Sequence, residues 1–186
     1  MRCIDVLIVC TGNICRSPMG EALLRSHLAA RGVDARVHSA GTLAWGGPAT
    51  GNAGLVMRER GLSLEGHLSR SLTDQMIEDA DLVLGMTRDH VWRATRAVAD
   101  ATDRTFLVGE LRRLGGEAGP RLVAGRETVR AWAARAAALR PPGPAGAVGR
   151  AGDEVADPVG EPLAVYRATA DRLDRDLATI AALLAP

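Results

Sequence analysis

The sequence predicts a three-layer α/β domain, a four-stranded parallel sheet with helices on both faces. Three observations point there. Short apolar runs rich in β-branched residues alternate with helical patterns, the first run opens into a Gly/Asn turn followed by a helix start, and an amphipathic helix closes the chain. Strands covered on both faces read as nearly continuous apolar runs, as here. At 186 residues the chain fits one domain, 1–186, able to bury a core without cross-links.

Residues 4–9 form the first strand and run into Thr11-Gly12-Asn13. A helix then starts with Ser17 as cap, Pro18 at the first helical position and Glu21 in the first turn. Ala22, Leu23, Leu28 and Ala29 form its apolar stripe, and Gly32 stops it. A second strand at 36–40 leads into a Gly-rich loop, 41–51, and a helix around 54–60. Strands at 81–86 and 105–108 bracket a helix at 88–97. An Ala/Arg-rich helix at 126–139 and a stretch with three prolines and four glycines at 141–152 make a variable insertion of about 117–152. That stretch reads as a flexible surface loop that gives the segment after it room to move. The closing helix, 162–184, turns Leu163, Tyr166, Leu173, Leu177 and Ile180 inward; Trp92 and Trp132 read as packing residues on helix faces. In such a sheet a ligand sits at the carboxyl ends of the strands, where the loop after Val9 lies.

Composition excludes several classes. The formal net charge is +1, so there is no broad basic field for nucleic acid. Every basic side chain other than histidine is Arg, which in an Ala- and Gly-rich chain reads as codon bias. Cys3, Cys10 and Cys15 are an odd, clustered set, neither a disulfide framework nor part of a zinc site; no metal or cofactor is expected. The apolar N-terminal run has no basic segment before it and is too short for a signal peptide or a membrane span. A bacterial cytoplasm, with its thiols reduced, is the expected home.

The segment Cys10-Thr11-Gly12-Asn13-Ile14-Cys15-Arg16-Ser17 carries the chemistry. A turn of this length between strand and helix can converge its backbone N–H groups on one point, making a nest for phosphate completed by the helix N-terminus. Arg16 adds a planar, permanently charged fork for two phosphate oxygens. The same positive surroundings favour the Cys10 thiolate, an in-line nucleophile toward phosphorus that gives a phosphocysteine. Ser17 caps the helix and donates its hydroxyl to the sulfur. Asn13 tolerates left-handed backbone and ties the loop with its side chain. Cys3 reads as packing, and His27, His38 and His90 as surface or packing residues.

The string Val9 to Met19, Val-Cys-Thr-Gly-Asn-Ile-Cys-Arg-Ser-Pro-Met, resembles the signature of the low-molecular-weight protein-tyrosine phosphatases. Ser39-Ala40-Gly41-Thr42 resembles that family's segment behind the loop, and His67-Leu68-Ser69-Arg70 its His-x-x-Arg, whose histidine hydrogen-bonds the loop asparagine. Asp157-Pro158 resembles its late Asp-Pro, which supplies the general acid. The likeness covers most of the chain and is poor across 115–152. It implies Cys10 as nucleophile, Arg16 on the phosphoryl oxygens, Asp157 as acid and then base, and Thr11, Gly12, Asn13, Ile14, Cys15, Ser17, Ser39 and His67 building or supporting the loop. Asp153 and Glu154 are rivals for the acid on sequence alone. Trp45, just after Ser-Ala-Gly-Thr, falls where the family has a pocket-wall tryptophan, with Ile14 facing the same pocket. Cys15 packs in the loop base or pairs with Cys10 under oxidation, protecting the nucleophile. The implied partner is a phosphorylated protein, acted on by a monomer or weak dimer.

Two departures bear on substrate. Val159-Gly160 follow the Asp-Pro where tyrosine-directed members carry aromatics, and with Tyr166-Arg167 they look closer to the branch with protein-arginine phosphatases. Ile14, however, stands where the arginine phosphatases carry a threonine, which favours an aryl phosphate. Arsenate reductases of this fold need further cysteines downstream, and none follows Cys15. A non-catalytic phosphate-binding module is expected to lose nucleophile or acid, and both are present.

Overall fold

Seven consecutive buried residues, Ile4–Cys10, form strand β1. The computed structural model describes residues 3–43, 45–122, 126–142 and 149–185. The other strands are β2 (Ala35–Gly41), β3 (Leu82–Gly85) and β4 (Thr105–Leu107), all parallel, in the order β2-β1-β3-β4. The chain passes from β1 to β2 on one side and then to β3 on the other. The carboxyl end of β1 is thus the topological switch point, where a crevice opens.

Side chains alternate across β1. Val6 and Ile8 join the larger core, Leu7 and Val9 the smaller one. The larger core is covered by α1 (Arg16–Ala29), α2 (Gly51–Arg58), α5 (Val108–Ala118), α6 (Val129–Ala137) and α7 (Leu163–Leu184). The smaller is closed by α3 (Asp74–Asp79) and α4 (Arg88–Ala97), through Ile77 and Ala94. Helices therefore lie on both faces, as the alternation of elements predicts. Among the described residues no helix is long and apolar enough to cross a membrane.

Several boundaries differ from the sequence reading, each for a local reason. α1 begins at Arg16 with Cys15 as its cap residue, so Ser17 is not the cap: its hydroxyl is engaged by the loop instead. Glu21 lies beyond the first turn, where it accepts a hydrogen bond from Ser39 and pairs with Arg25. α2 starts at Gly51, because the Thr50 hydroxyl caps it through Ala53 N–H. Val108 opens α5 and is not part of β4. The sequence pattern does not reveal α3 or α5, the first for its shortness, the second for Gly115-Gly116 in its last turn. Gly115 is there for packing: a Cβ on it would lie 3.0 Å from the Trp132 ring. Trp132 is fully buried against α5 and donates from Nε1 to Gly119 O, 2.9 Å away. Trp92, by contrast, is 58% exposed under the Arg96 guanidinium, not a packing residue. The core of the Pro/Gly-rich stretch, 143–148, lies outside the described residues.

α6 is thus a core element. Trp132→Ala is expected to cost about 3–5 kcal/mol in urea unfolding, leaving the unfolding slope unchanged.

Candidate active site

The loop after β1 is shaped by what holds its carbonyl groups. Cys10 O accepts from Thr42 N–H (3.0 Å), Thr11 O from Leu43 N–H (2.9 Å) and Ile14 O from Thr50 N–H (2.9 Å). Gly12 O accepts from the Ser69 hydroxyl (2.9 Å), and Asn13 O from His67 Nε2 (2.7 Å). In a trans peptide C=O and N–H point opposite ways, so outward carbonyls turn the following N–H groups inward. Gly41 permits the close approach of this scaffold, since a Cβ there would lie 2.6 Å from Thr11 O.

Asn13 ties the loop shut. Its backbone is left-handed (φ +52°), a conformation Asn tolerates better than most residues. Its Nδ2 donates to Ser17 Oγ (2.9 Å) and Ser39 Oγ (2.8 Å), and its Oδ1 accepts from Arg70 N–H (3.0 Å). Ser39 Oγ in turn donates to Glu21 (2.6 Å), and Arg70 Nε donates to Ser39 O (2.8 Å). The predicted histidine contact is present, made to the asparagine's backbone oxygen.

Cys10 is buried at the bottom of the loop. Asn13 N–H donates to its Sγ at 3.2 Å, and Ser17 Oγ lies 2.9 Å away. Because Ser17 Oγ accepts from Asn13, its own proton is available to the sulfur, so two donors converge on Sγ. The Cys15 sulfur is engaged by other elements, 3.1 Å from Thr50 Oγ1 and 3.4 Å from the Tyr166 hydroxyl. Burial pushes the Cys15 thiol up, against the opposing pull of those hydrogen bonds.

Arg16 is buried beside the sulfur. Its Nη1 donates to Val155 O (3.2 Å), and its Nη2 to Thr11 Oγ1 (3.4 Å) and Asp157 Oδ2. Its buried Nε finds no acceptor among the described residues. A buried guanidinium donor left unmatched is costly on its own.

The segment carrying Asp157 is pinned residue by residue. Asp153 pairs with Arg113 of α5 (2.9 Å) and accepts from Arg150 N–H (2.8 Å). Glu154 accepts from Arg88 N–H (2.9 Å) at the start of α4, and Val155 N–H donates to Met86 O (2.8 Å). The two rival carboxylates are thereby committed elsewhere. Of the three, Asp157 alone lines the cleft, with Cys10, Thr11, Gly12, Ile14, Cys15, Arg16, Trp45 and Val159. Trp45 leans on Gly12, and Val159 lines the same cleft. Tyr166 lies behind the loop and Arg167 pairs with Glu59, so neither reaches the cleft. Among the described residues no group of three or more His, Cys, Asp or Glu side chains could hold a metal.

Sequence reasoning missed His90. Buried on α4, it bonds Thr11 through Nε2 (3.0 Å) and Thr87 N–H through Nδ1 (3.0 Å). The signal was there as Thr87-x-x-His90 at a helix start following β3, the strand beside β1.

Against known proteins, the family described as low molecular weight phosphotyrosine protein phosphatase matches residues 5–113. The tyrosine phosphatase Etp of Escherichia coli K12 is 43% identical over 107 residues, covering 57% of this chain and 70% of Etp. The protein-arginine-phosphatase of Bacillus subtilis is 40% identical over 107 residues, 57% of this chain and 71% of that one. A crystal structure of a YwlE mutant from Bacillus subtilis superposes with TM-score 0.70 at 29% identity, over 96% of this chain and 97% of that one.

Asp153 provides a pH test. Burial alone would raise its carboxyl pKa, but Arg113, the Arg150 N–H and their charges outweigh that and hold it below the ordinary 3.8. A depressed carboxyl stabilises the fold above the unfolded pKa and loses that contribution as pH falls through the folded value. Asp153→Asn is therefore expected to be less stable than wild type at pH 7, with the gap narrowing below pH ~3.8 in denaturant unfolding.

Proposed function

Since the chain belongs to the low molecular weight phosphotyrosine protein phosphatase family, we propose that it hydrolyses phosphotyrosine, or a similar aryl phosphate, on a protein substrate through a phosphocysteine at Cys10. One observation carries the reading: Cys10 Sγ, the buried Arg16 guanidinium and the Asp157 carboxyl line one cleft beneath inward-turned amides.

The phosphoryl oxygens take the loop N–H groups and the Arg16 donors, including the unmatched Nε–H, where negative charge spreads in the transition state. This displaces Asp157 Oδ2 from Arg16, and the freed carboxylate takes up a proton from solvent and faces the leaving oxygen. The Cys10 thiolate attacks phosphorus; the P–O ester bond breaks, and Asp157 delivers its proton to the departing phenolate. Water then attacks the phosphocysteine and gives its proton to Asp157, and the P–S bond breaks to return the thiolate. The Ser17 hydroxyl and Asn13 N–H stabilise the sulfur as it leaves. Burial pushes the Cys15 thiol up, which leaves less of it as the reactive thiolate. A reduced, cytoplasmic setting suits the free thiols Cys10 and Cys15, and a monomer or weak dimer suffices for a cleft built from one chain.

Val159 in the cleft wall supports the second reading, a protein-arginine phosphatase, because it supplies no ring to stack on a phenyl group. Ile14 favours the first, as a branched apolar side chain in the same wall cannot orient water near a guanidinium. Arsenate reduction lacks a downstream cysteine, and a mere binding module has no use for the acid.

Steady-state hydrolysis of matched phosphotyrosine and phosphoarginine peptides tests this. Phosphotyrosine is expected to be turned over without added metal, and Cys10→Ser to be inactive. Asp157→Asn should lose about 10²- to 10⁴-fold in kcat, and less on substrates with acidic leaving groups. Ile14→Thr should raise phosphoarginine turnover relative to phosphotyrosine. Turnover of phosphoarginine alone by the wild type would reverse the choice.

A further inference from the structure

Thr11 is gripped by two donors of the protein itself, and this fixes where its proton goes. At the start of α4 the Thr87 N–H donates to His90 Nδ1 at 3.0 Å. A backbone N–H can only donate, so Nδ1 is the lone-pair nitrogen, shared with the Thr87 hydroxyl 2.9 Å away, which donates to it as well, and the ring proton is on Nε2. Nε2 lies 3.0 Å from Thr11 Oγ1 and therefore donates to it. Arg16 Nη2 donates to the same oxygen at 3.4 Å. A hydroxyl has two lone pairs and one proton. With both lone pairs engaged, the proton is directed away from both donors, and no acceptor for it lies among the described residues. Thr11 lines the cleft beside Cys10, Gly12 and Arg16.

We propose that His90 is a positioning residue: by donating to Thr11 Oγ1 it points the Thr11 hydroxyl into the cleft, as a side-chain donor to a phosphoryl oxygen. The role of that donor rests on the phosphatase reading; its alignment does not. The imidazole suits the task because it keeps one tautomer. Burial and the Arg16 charge push its pKa down to about 4, against the opposing Asp89, Asp157 and Glu154 carboxylates. It stays neutral at working pH, and a proton on Nδ1 would oppose the Thr87 N–H. His90 is neither acid nor base here.

The test separates the donor from its positioner. Inorganic phosphate binding is measured by calorimetry, alongside steady-state hydrolysis of an aryl phosphate from pH 5 to 8. Thr11→Val, nearly isosteric, is expected to weaken phosphate binding about ten-fold or more, as for a lost hydrogen bond to a charged group. His90→Asn keeps an acceptor for Thr87 N–H but loses the donor to Thr11, and is expected to weaken binding several-fold. His90→Gln, which restores a donor near Nε2, should recover most of that. Adding His90→Asn to Thr11→Val should change nothing further, and the pH profile of His90→Gln should match wild type. Phosphate affinity unchanged in Thr11→Val would overturn the proposal, as would multiplying effects in the double variant or an ionisation lost from the His90→Gln profile. If His90→Asn does not fold, Thr11→Val still decides, being away from the helix cap. A wild type that binds phosphate yet hydrolyses nothing, with Thr11→Val still weak, would sink the phosphatase reading and leave the donor standing.

Discussion

The carbonyls of Cys10 to Ile14 are all occupied by donors from outside their loop, and the rest of the site follows from that constraint. A loop free to satisfy its own carbonyls would close on itself as an ordinary turn. Held from outside by β2's continuation, by His67 and Ser69, and by the start of α2, it has to leave its amides facing inward. The sulfur then sits beneath a concave surface of donors, the arrangement a tetrahedral oxyanion requires. Asn13 is the residue on which this depends most. Its left-handed backbone costs of order 1 kcal/mol, offset by side-chain bonds that join the loop to α1, β2 and the 67–70 segment.

The guanidinium of Arg16 works within the same frame. Its Nη groups are shared among Val155 O, Thr11 and Asp157, so the side chain is oriented before any substrate arrives. Orientation in advance lowers the reorganisation that transition-state charge would otherwise demand. Its Nε is left unmatched in the same frame.

The loop from Cys10 to Ser17 was legible because its residues are contiguous: thiol, Gly/Asn turn, arginine and hydroxyl lie between one strand and one helix. Strands β1 and β3 were legible because burial on both faces makes each a mostly apolar run, whereas β2 carries Arg36, His38 and Ser39 and shows mainly through its place before the Gly-rich loop. His90 was not legible, since one histidine on a helix looks the same whether it packs, caps or reaches a loop 79 residues earlier. Helix α5 was hidden by Gly115-Gly116; at Gly115 the demand of Trp132 for space overrides helix propensity. The separation of Asp157 from Asp153 and Glu154 needed the partners, Arg113 and Arg88 N–H, which no local pattern reveals.

The clamping of residues 153–155 onto α5, α4 and the end of β3 has an evolutionary side. Upstream, Arg140 closes another clamp, binding Glu110 and Thr105 O and covering the Phe106 ring. Between the two, the chain can gain or lose residues without transmitting a change of length to Asp157. Insertions and deletions there are screened from the cleft, so lineages can remodel the connection, or graft a new recognition element onto it, while Asp157 keeps its place beside Cys10.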